Sequence, residues 1–265
     1  MIVLAFWGLT RSIRFTAESI QRHIFDQLPA HAVFVHTYAS TAVYRNARAN
    51  EFAHGLDADV GALKPFRVAV DDLEQVKQML GLAQYRTQPD PWNSNYETVD
   101  NFVLAMYSKY RVTQMIAASG LSLEKVIFLR PDVQYTTSVR PLLALSAPDA
   151  WVIPDFHLYS GFNDRFCVAS RENYLTYGCV FPLLLEYSRK KPLHSETLYA
   201  DLAKTKRIRL VYARFFFRRI RLNGAVDPKD GALKDPVRGP ARFRGTPLHR
   251  FRPGPTIGTV LLQPH

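Results

Sequence analysis

The residues best placed for chemistry in this sequence are Arg130 and Asp132, which close the apolar run of VIFLRPDV (126–133). A guanidinium is a planar fork suited to phosphate, and a carboxylate suits a hard cation or a sugar hydroxyl. Pro131 fixes its own φ and pushes Arg130 toward extended geometry, so the strand is held open as it leaves its sheet. Two other stretches carry comparable groups. GLTRS (8–12) places Thr10 and Arg11 just after the first apolar run, where helix amides and a guanidinium together favour an anion, with Arg14 one turn further on. HLYSGFNDRFCVAS (157–170) places Asn163 and Asp164 ahead of a later apolar run. Together these groups describe a site for a phosphorylated or nucleotide-linked ligand. The plainer alternatives are a strand-end ion pair between Arg130 and Asp132, and a turn shaped by Asn163 and Asp164 with Arg165 paired to the acid.

Positioning such groups in one crevice requires a parallel sheet, whose ligands sit at the carboxyl ends of the strands. IVLAF, then a helical period through Ile13, Ile20, Ile24 and Leu28, then AVFVHTY, is a strand, helix, strand unit. His36 and Thr37 fall at the end of that second strand. PFRVAV (65–70) is a third strand, followed by a helix through DDLEQVKQML that stops near Gly81. RNARANEFAHGLDADVGALK between them reads as a loop or short helix, and YRTQPDPWNSN (85–95) as a loop. A long helix ends at Gly120, with Phe102, Met106, Tyr110, Thr113 and Ile116 or Ala117 on its apolar face. Tyr107, Tyr110 and Trp92 are candidates for stacking on a base or sugar, or for ordinary packing. VIFLRPDV, WVIPDF and RFCVAS are further strands, followed by a helix to about Tyr187 and another from Ser195. IRLVYARFFFRRIRL reads as a late or edge strand.

Charge is unevenly placed. Residues 1–205 carry 20 Lys plus Arg and 20 Asp plus Glu, so the whole +11 belongs to residues 206–265. From 224 onward the chain is rich in proline and arginine without periodicity, the pattern of an extended tail. The expected organisation is one α/β domain over 1–223 and a basic tail over 224–265. No apolar run is long enough to span a membrane, and no basic stretch precedes the short first one, which points to a cytoplasmic protein with a possible peripheral membrane contact through its tail. Cys167 and Cys179 lack CxxC spacing and read as buried thiols of a reducing compartment rather than a disulfide or metal site.

The order and spacing of GLTRS, MYSKY (106–110), FLRPDV and GFNDRFCVAS over residues 1–222 resemble the nucleotide-sugar-dependent glycosyltransferases of the GT-A fold. More narrowly, they resemble glycosyltransferase-like proteins of large DNA viruses, algae and bacterial polysaccharide clusters. The resemblance implies a mostly parallel central sheet flanked by helices, a nucleoside-diphosphate-sugar donor and a glycan acceptor. It places Arg-Pro-Asp where the family carries Asp-x-Asp, which makes Asp132 the expected ligand of Mn²⁺ or Mg²⁺. Thr10, Arg11, Arg130 and Asn163 become donor contacts. Asp164 becomes the base for the acceptor hydroxyl, with Asp155 in reserve, and His157 or His194 an additional metal ligand. The competing class is a binding module that keeps the fold without catalysis and uses its basic tail on a polyanion. No finger, helix-turn-helix or RNP pattern favours nucleic acid as that partner.

Overall fold

The computed structural model describes residues 1–231 apart from 47, 48, 91 and 160. The basic tail expected from 224 therefore lies, beyond 231, outside the described residues. In chain order the strands are β1 (Ile2–Trp7), β2 (His31–Ala39), β3 (Tyr44–Asn46), β4 (Glu51–Ala53), β5 (Arg67–Asp72), β6 (Lys125–Leu129), β7 (Val133–Tyr135), β8 (Ala150–Pro154), β9 (Cys167–Ser170), β10 (Arg209–Ala213) and β11 (Phe217–Arg219). The helices are α1 (Ile13–His23), α2 (Leu73–Leu80), α3 (Glu97–Ala117), α4 (Arg140–Leu143), α5 (Tyr174–Gly178), α6 (Leu184–Lys190), α7 (Ser195–Thr205) and α8 (Pro228–Gly231).

Seven strands form the main sheet in the order β10-β8-β9-β6-β1-β2-β5. All neighbours pair in parallel except β9, which runs antiparallel to both β6 and β8. The expected α/β architecture, a mostly parallel sheet between helices, is therefore present. β1 is apolar throughout because both of its faces are covered. Val3, Ala5 and Trp7 join one core with Phe34, Val126 and Phe128, on which α3 packs. Ile2, Leu4 and Phe6 join the other with Val33, Ile127 and Leu129, together with Ile13 and Ile20 of α1. From β1 the chain moves outward to β2 and β5, then returns to β6 on the other side. The strand order thus reverses between β1 and β6, and a crevice opens at their carboxyl ends.

Three local expectations change. The polar stretch after β2 is an antiparallel β3–β4 hairpin. IRLVYARFFFRRIRL divides into β10, an edge strand of the main sheet, and β11, which pairs with β7 in a separate two-stranded sheet. The buried face of α3 is carried by Val99, Val103, Met106, Val112 and Ile116, and Lys109 is buried with them. Phe102 and Tyr110 are only half-buried, because the helix is covered over most of its circumference and an amphipathic stripe cannot fix its rotation. Beyond β11, Ile220 is bridged to Val226 and α8 lies beside β11. Among the described residues no helix is long and apolar enough to cross a membrane.

Candidate functional site

The floor of the crevice is a hydrogen-bonded chain. Gly8 follows β1 at φ 94°, a conformation that excludes most side chains. Its N–H donates to Ser108 Oγ of α3 at 2.8 Å, and Ser108 reaches His36 Nδ1 at 2.8 Å. His36 Nε2 meets Asp71 Oδ2 at 3.0 Å, and Arg111 donates to the same oxygen at 2.6 Å. Burial pulls the His36 pKa down against the opposing pull of Asp71, which fits a neutral imidazole with its proton on Nε2. His36 is thus a buried structural residue. Thr10 is also buried, its Oγ1 3.4 Å from Thr37 Oγ1, and it shapes the loop from within rather than facing a ligand.

The Arg130-Pro131-Asp132 turn is fixed through all three of its carbonyls. Tyr135 Oη donates to Arg130 O at 3.0 Å, Thr16 Oγ1 to Pro131 O at 2.6 Å and the Ile220 N–H to Asp132 O at 2.9 Å. Arg130 then folds onto Asp132 as a bidentate fork, Nε to Oδ1 at 2.9 Å and Nη2 to Oδ2 at 2.6 Å. Arg11 Nη2 lies 3.6 Å from Oδ2 of the same carboxylate. Burial alone would raise the Asp132 pKa, but Arg130 and Arg11 together outweigh it and hold the carboxyl below its ordinary value. The strand-end ion pair named among the plainer alternatives is therefore formed. A divalent ion fits this carboxylate poorly, because both oxygens are engaged by guanidinium N–H groups and Asp132 is only 4% exposed. Among the described residues no three His, Cys, Asp or Glu side chains are grouped to hold a metal.

Arg11 and Arg130 line one cavity of about 180 Å³ with Gly8, Tyr38, Tyr44, Asn46 and Lys77. Arg11 Nη1 also meets Glu51 Oε2 of β4 at 3.0 Å and donates to Tyr44 Oη. Its Nε is buried without a hydrogen-bond partner. Arg130 lies 4.8 Å from the centroid of the Trp7 ring. Arg221 pairs with Asp227, and Arg219 holds Asp230 Oδ1 at 2.7 Å and Asp227 Oδ1 at 3.1 Å. A larger hollow of about 600 Å³ lies at the opposite end of β1 and β2, lined by Met1, Phe25, His31, Leu63 and Phe66. It lies at the amino ends of the strands and lacks this concentration of charge, so the smaller cavity is the candidate site.

Asp164 is buried near Arg130, whose pKa is raised by Asp132 and, more weakly, by Asp164 against the lowering effect of burial. Asn163 holds the turn: its Nδ2 donates to Phe156 O at 3.1 Å and its Oδ1 accepts from the Arg165 N–H at 3.1 Å. Both ends of this fully buried amide are engaged within the turn. Lys109 donates to Asp164 O at 3.2 Å and to Tyr199 Oη at 2.9 Å. Its ammonium stands 4.1 Å from the Trp7 ring centroid and 4.5 Å from those of Tyr177 and Tyr199. Burial lowers its pKa to about 7. Glu196 is pushed up by burial and then by the Asp164 carboxylate. Asp155 is exposed at the end of β8. His157 lies 3.5 Å from Asp230, and His194 lies 3.5 Å from Glu196 and stacks on Trp92. Tyr107 is buried and packs on His36 and Phe181, and Tyr110 on Phe181. Arg14 is exposed over Phe15. Cys167 and Cys179 are free thiols.

Lys109, Glu196, Glu51, Tyr44 and Arg221 were not among the expected site residues. Only Lys109 left a signal, a charge between Met106 and Val112 on an apolar helix.

No known protein-family profile matches the chain, and no curated protein is similar to it in sequence. Solved structures are similar over most of its length. Mouse xyloside xylosyltransferase 1 in its apo form aligns at 11% identity and TM-score 0.43, over 79% of this chain and 84% of that one. The galactosyltransferase LgtC, solved with donor and acceptor sugar analogues, aligns at 13% and 0.47, over 80% and 73%. A glycosyltransferase involved in glycosylation of the major capsid of PBCV-1 aligns at 10% and 0.39, over 80% and 81%.

Proposed function

We propose that this protein is a glycosyltransferase that moves a sugar from a nucleoside-diphosphate sugar to a hydroxyl of a glycan or glycoconjugate. The observation that carries this reading is the pair of guanidinium groups, Arg11 and Arg130, lining one crevice at the reversal of strand order. The arginines take the diphosphate and stabilise the charge that develops on it as the bond to the anomeric carbon breaks. Asp164 removes the proton of the attacking acceptor hydroxyl. Lys109 and the Asn163 turn hold Asp164 in place. The cavity of about 180 Å³ is smaller than the roughly 300 Å³ at which ligand pockets begin, so a whole donor does not fit it as it stands.

A thermal-shift screen of UDP-, GDP-, CMP- and dTDP-sugars tests the reading. One nucleotide class raises the melting temperature by on the order of 5 °C at saturating ligand, and Arg130→Ala removes the shift. No shift with any donor contradicts it. The binding-module alternative rests on the tail, most of which lies outside the described residues.

A further inference from the structure

Resting on that reading, we infer that the donor diphosphate is held directly on the Arg11 and Arg130 guanidinium groups without a divalent cation, and that Asp132 is a positioning residue for this fork. A divalent ion at Asp132 would have to share, or displace, the guanidinium groups that its two oxygens already hold. Asp132 directs both oxygens at arginine, with Arg130 contacts of 2.9 and 2.6 Å and Arg11 at 3.6 Å. The three carbonyls of its turn already accept from Tyr135, Thr16 and Ile220, which fixes the turn that presents Asp132 to arginine. Among the described residues Asp132 belongs to no group of three or more His, Cys, Asp or Glu side chains that could complete a ligand shell.

The arginines retain what an anion needs. Arg11 lines the crevice with a side chain only 6% exposed, and its Nε is a buried donor without a partner. A donor left unsatisfied by the protein is one that an added acceptor can take once Arg11 is uncovered. Arg130 lines the same crevice and uses only Nε and Nη2 on Asp132, leaving Nη1 for a second phosphate oxygen. Gly8 beside it is required by its φ of 94°, and a Cβ there would stand in ordinary contact with Arg130 Nε at 3.4 Å. A diphosphate that takes the place of Glu51 on Arg11 meets two guanidinium groups, which the shared Asp132 carboxylate keeps from separating.

The test is isothermal titration calorimetry of the full chain with UDP, GDP, CDP and dTDP, each in excess EDTA and in excess Mn²⁺. One nucleoside diphosphate is expected to bind in both, with dissociation constants within about threefold of each other. Arg130→Lys should weaken binding by about tenfold or more in both buffers, because an ammonium cannot reproduce the fork. Asp132→Asn should weaken it equally in both, whereas a metal ligand would lose only the increment that depends on Mn²⁺. The comparison in the wild-type protein needs no variant to fold. Binding that appears only with Mn²⁺ overturns the inference and leaves the proposed function standing. Failure of every nucleoside diphosphate to bind in either buffer overturns both.

Discussion

Lys109 carries an ammonium into a box of Trp7, Tyr177 and Tyr199, and its pKa of about 7 compares with 10.5 in an unfolded chain. Between pH 7 and about 10 the unfolded state binds more protons at this residue than the folded state, so its contribution to stability rises with pH. The slope is at most about 1.4 kcal/mol per pH unit. Urea unfolding across that window should show the rise in the wild-type protein and a flatter profile in Lys109→Met; equal slopes would contradict the assignment. Asp132 acts at the other end of the scale. Its folded pKa lies below 3.8, so the stabilisation present at neutral pH is lost as pH falls below that value. Arg11, Arg130, Asp132 and Asp164 were legible as candidates because each directly follows or precedes an apolar run. Lys109 and Glu196 were not, since the burial of a charge is decided by partners that four or more separate elements bring together.

At the scale of elements, the crevice depends on the turn after β1. Gly8→Ala places a Cβ at φ 94°, which costs roughly 1–2 kcal/mol in a left-handed conformation, and sets it 3.4 Å from Arg130 Nε. The variant should lose about that much in chemical denaturation and bind a nucleoside diphosphate more weakly; full stability would show that the turn relaxes. The strands at the centre of the sheet were readable because each is a continuous apolar run covered on both faces. The β3–β4 hairpin was not, because two three-residue polar strands carry no period long enough to register. The rotation of α3 was likewise hidden. A helix buried around most of its surface has no single face for the sequence to mark, and the half-buried Phe102 and Tyr110 are as apolar as the residues beneath them.

The whole molecule is closed by a segment that composition assigns to the tail. Asp230 is almost fully buried, and its carboxylate accepts from the Arg219 N–H at 2.7 Å and from Nε at 2.9 Å, while Asp227 pairs with Arg221. Truncation at residue 223 removes both acids and leaves Arg219 and Arg221 half-buried without them. Removing one partner of a buried pair costs about 3–5 kcal/mol, so the shortened chain should unfold at a clearly lower urea concentration than the full one. An unchanged midpoint would mean that residues 224–231 contribute nothing to the fold. Local composition could not place this boundary, because the acids that close the segment are scattered among the prolines and basic residues of a low-complexity stretch. The account as a whole turns on whether the crevice breaks a sugar–diphosphate bond. The direct measurement is release of nucleoside diphosphate from UDP-, GDP- and dTDP-sugars by the full chain, beside Arg130→Ala. One donor class should release nucleoside diphosphate, and the variant should be slower by roughly a hundredfold, as for loss of one preorganised group at a developing charge. No release from any donor, or equal release by the variant, would contradict it.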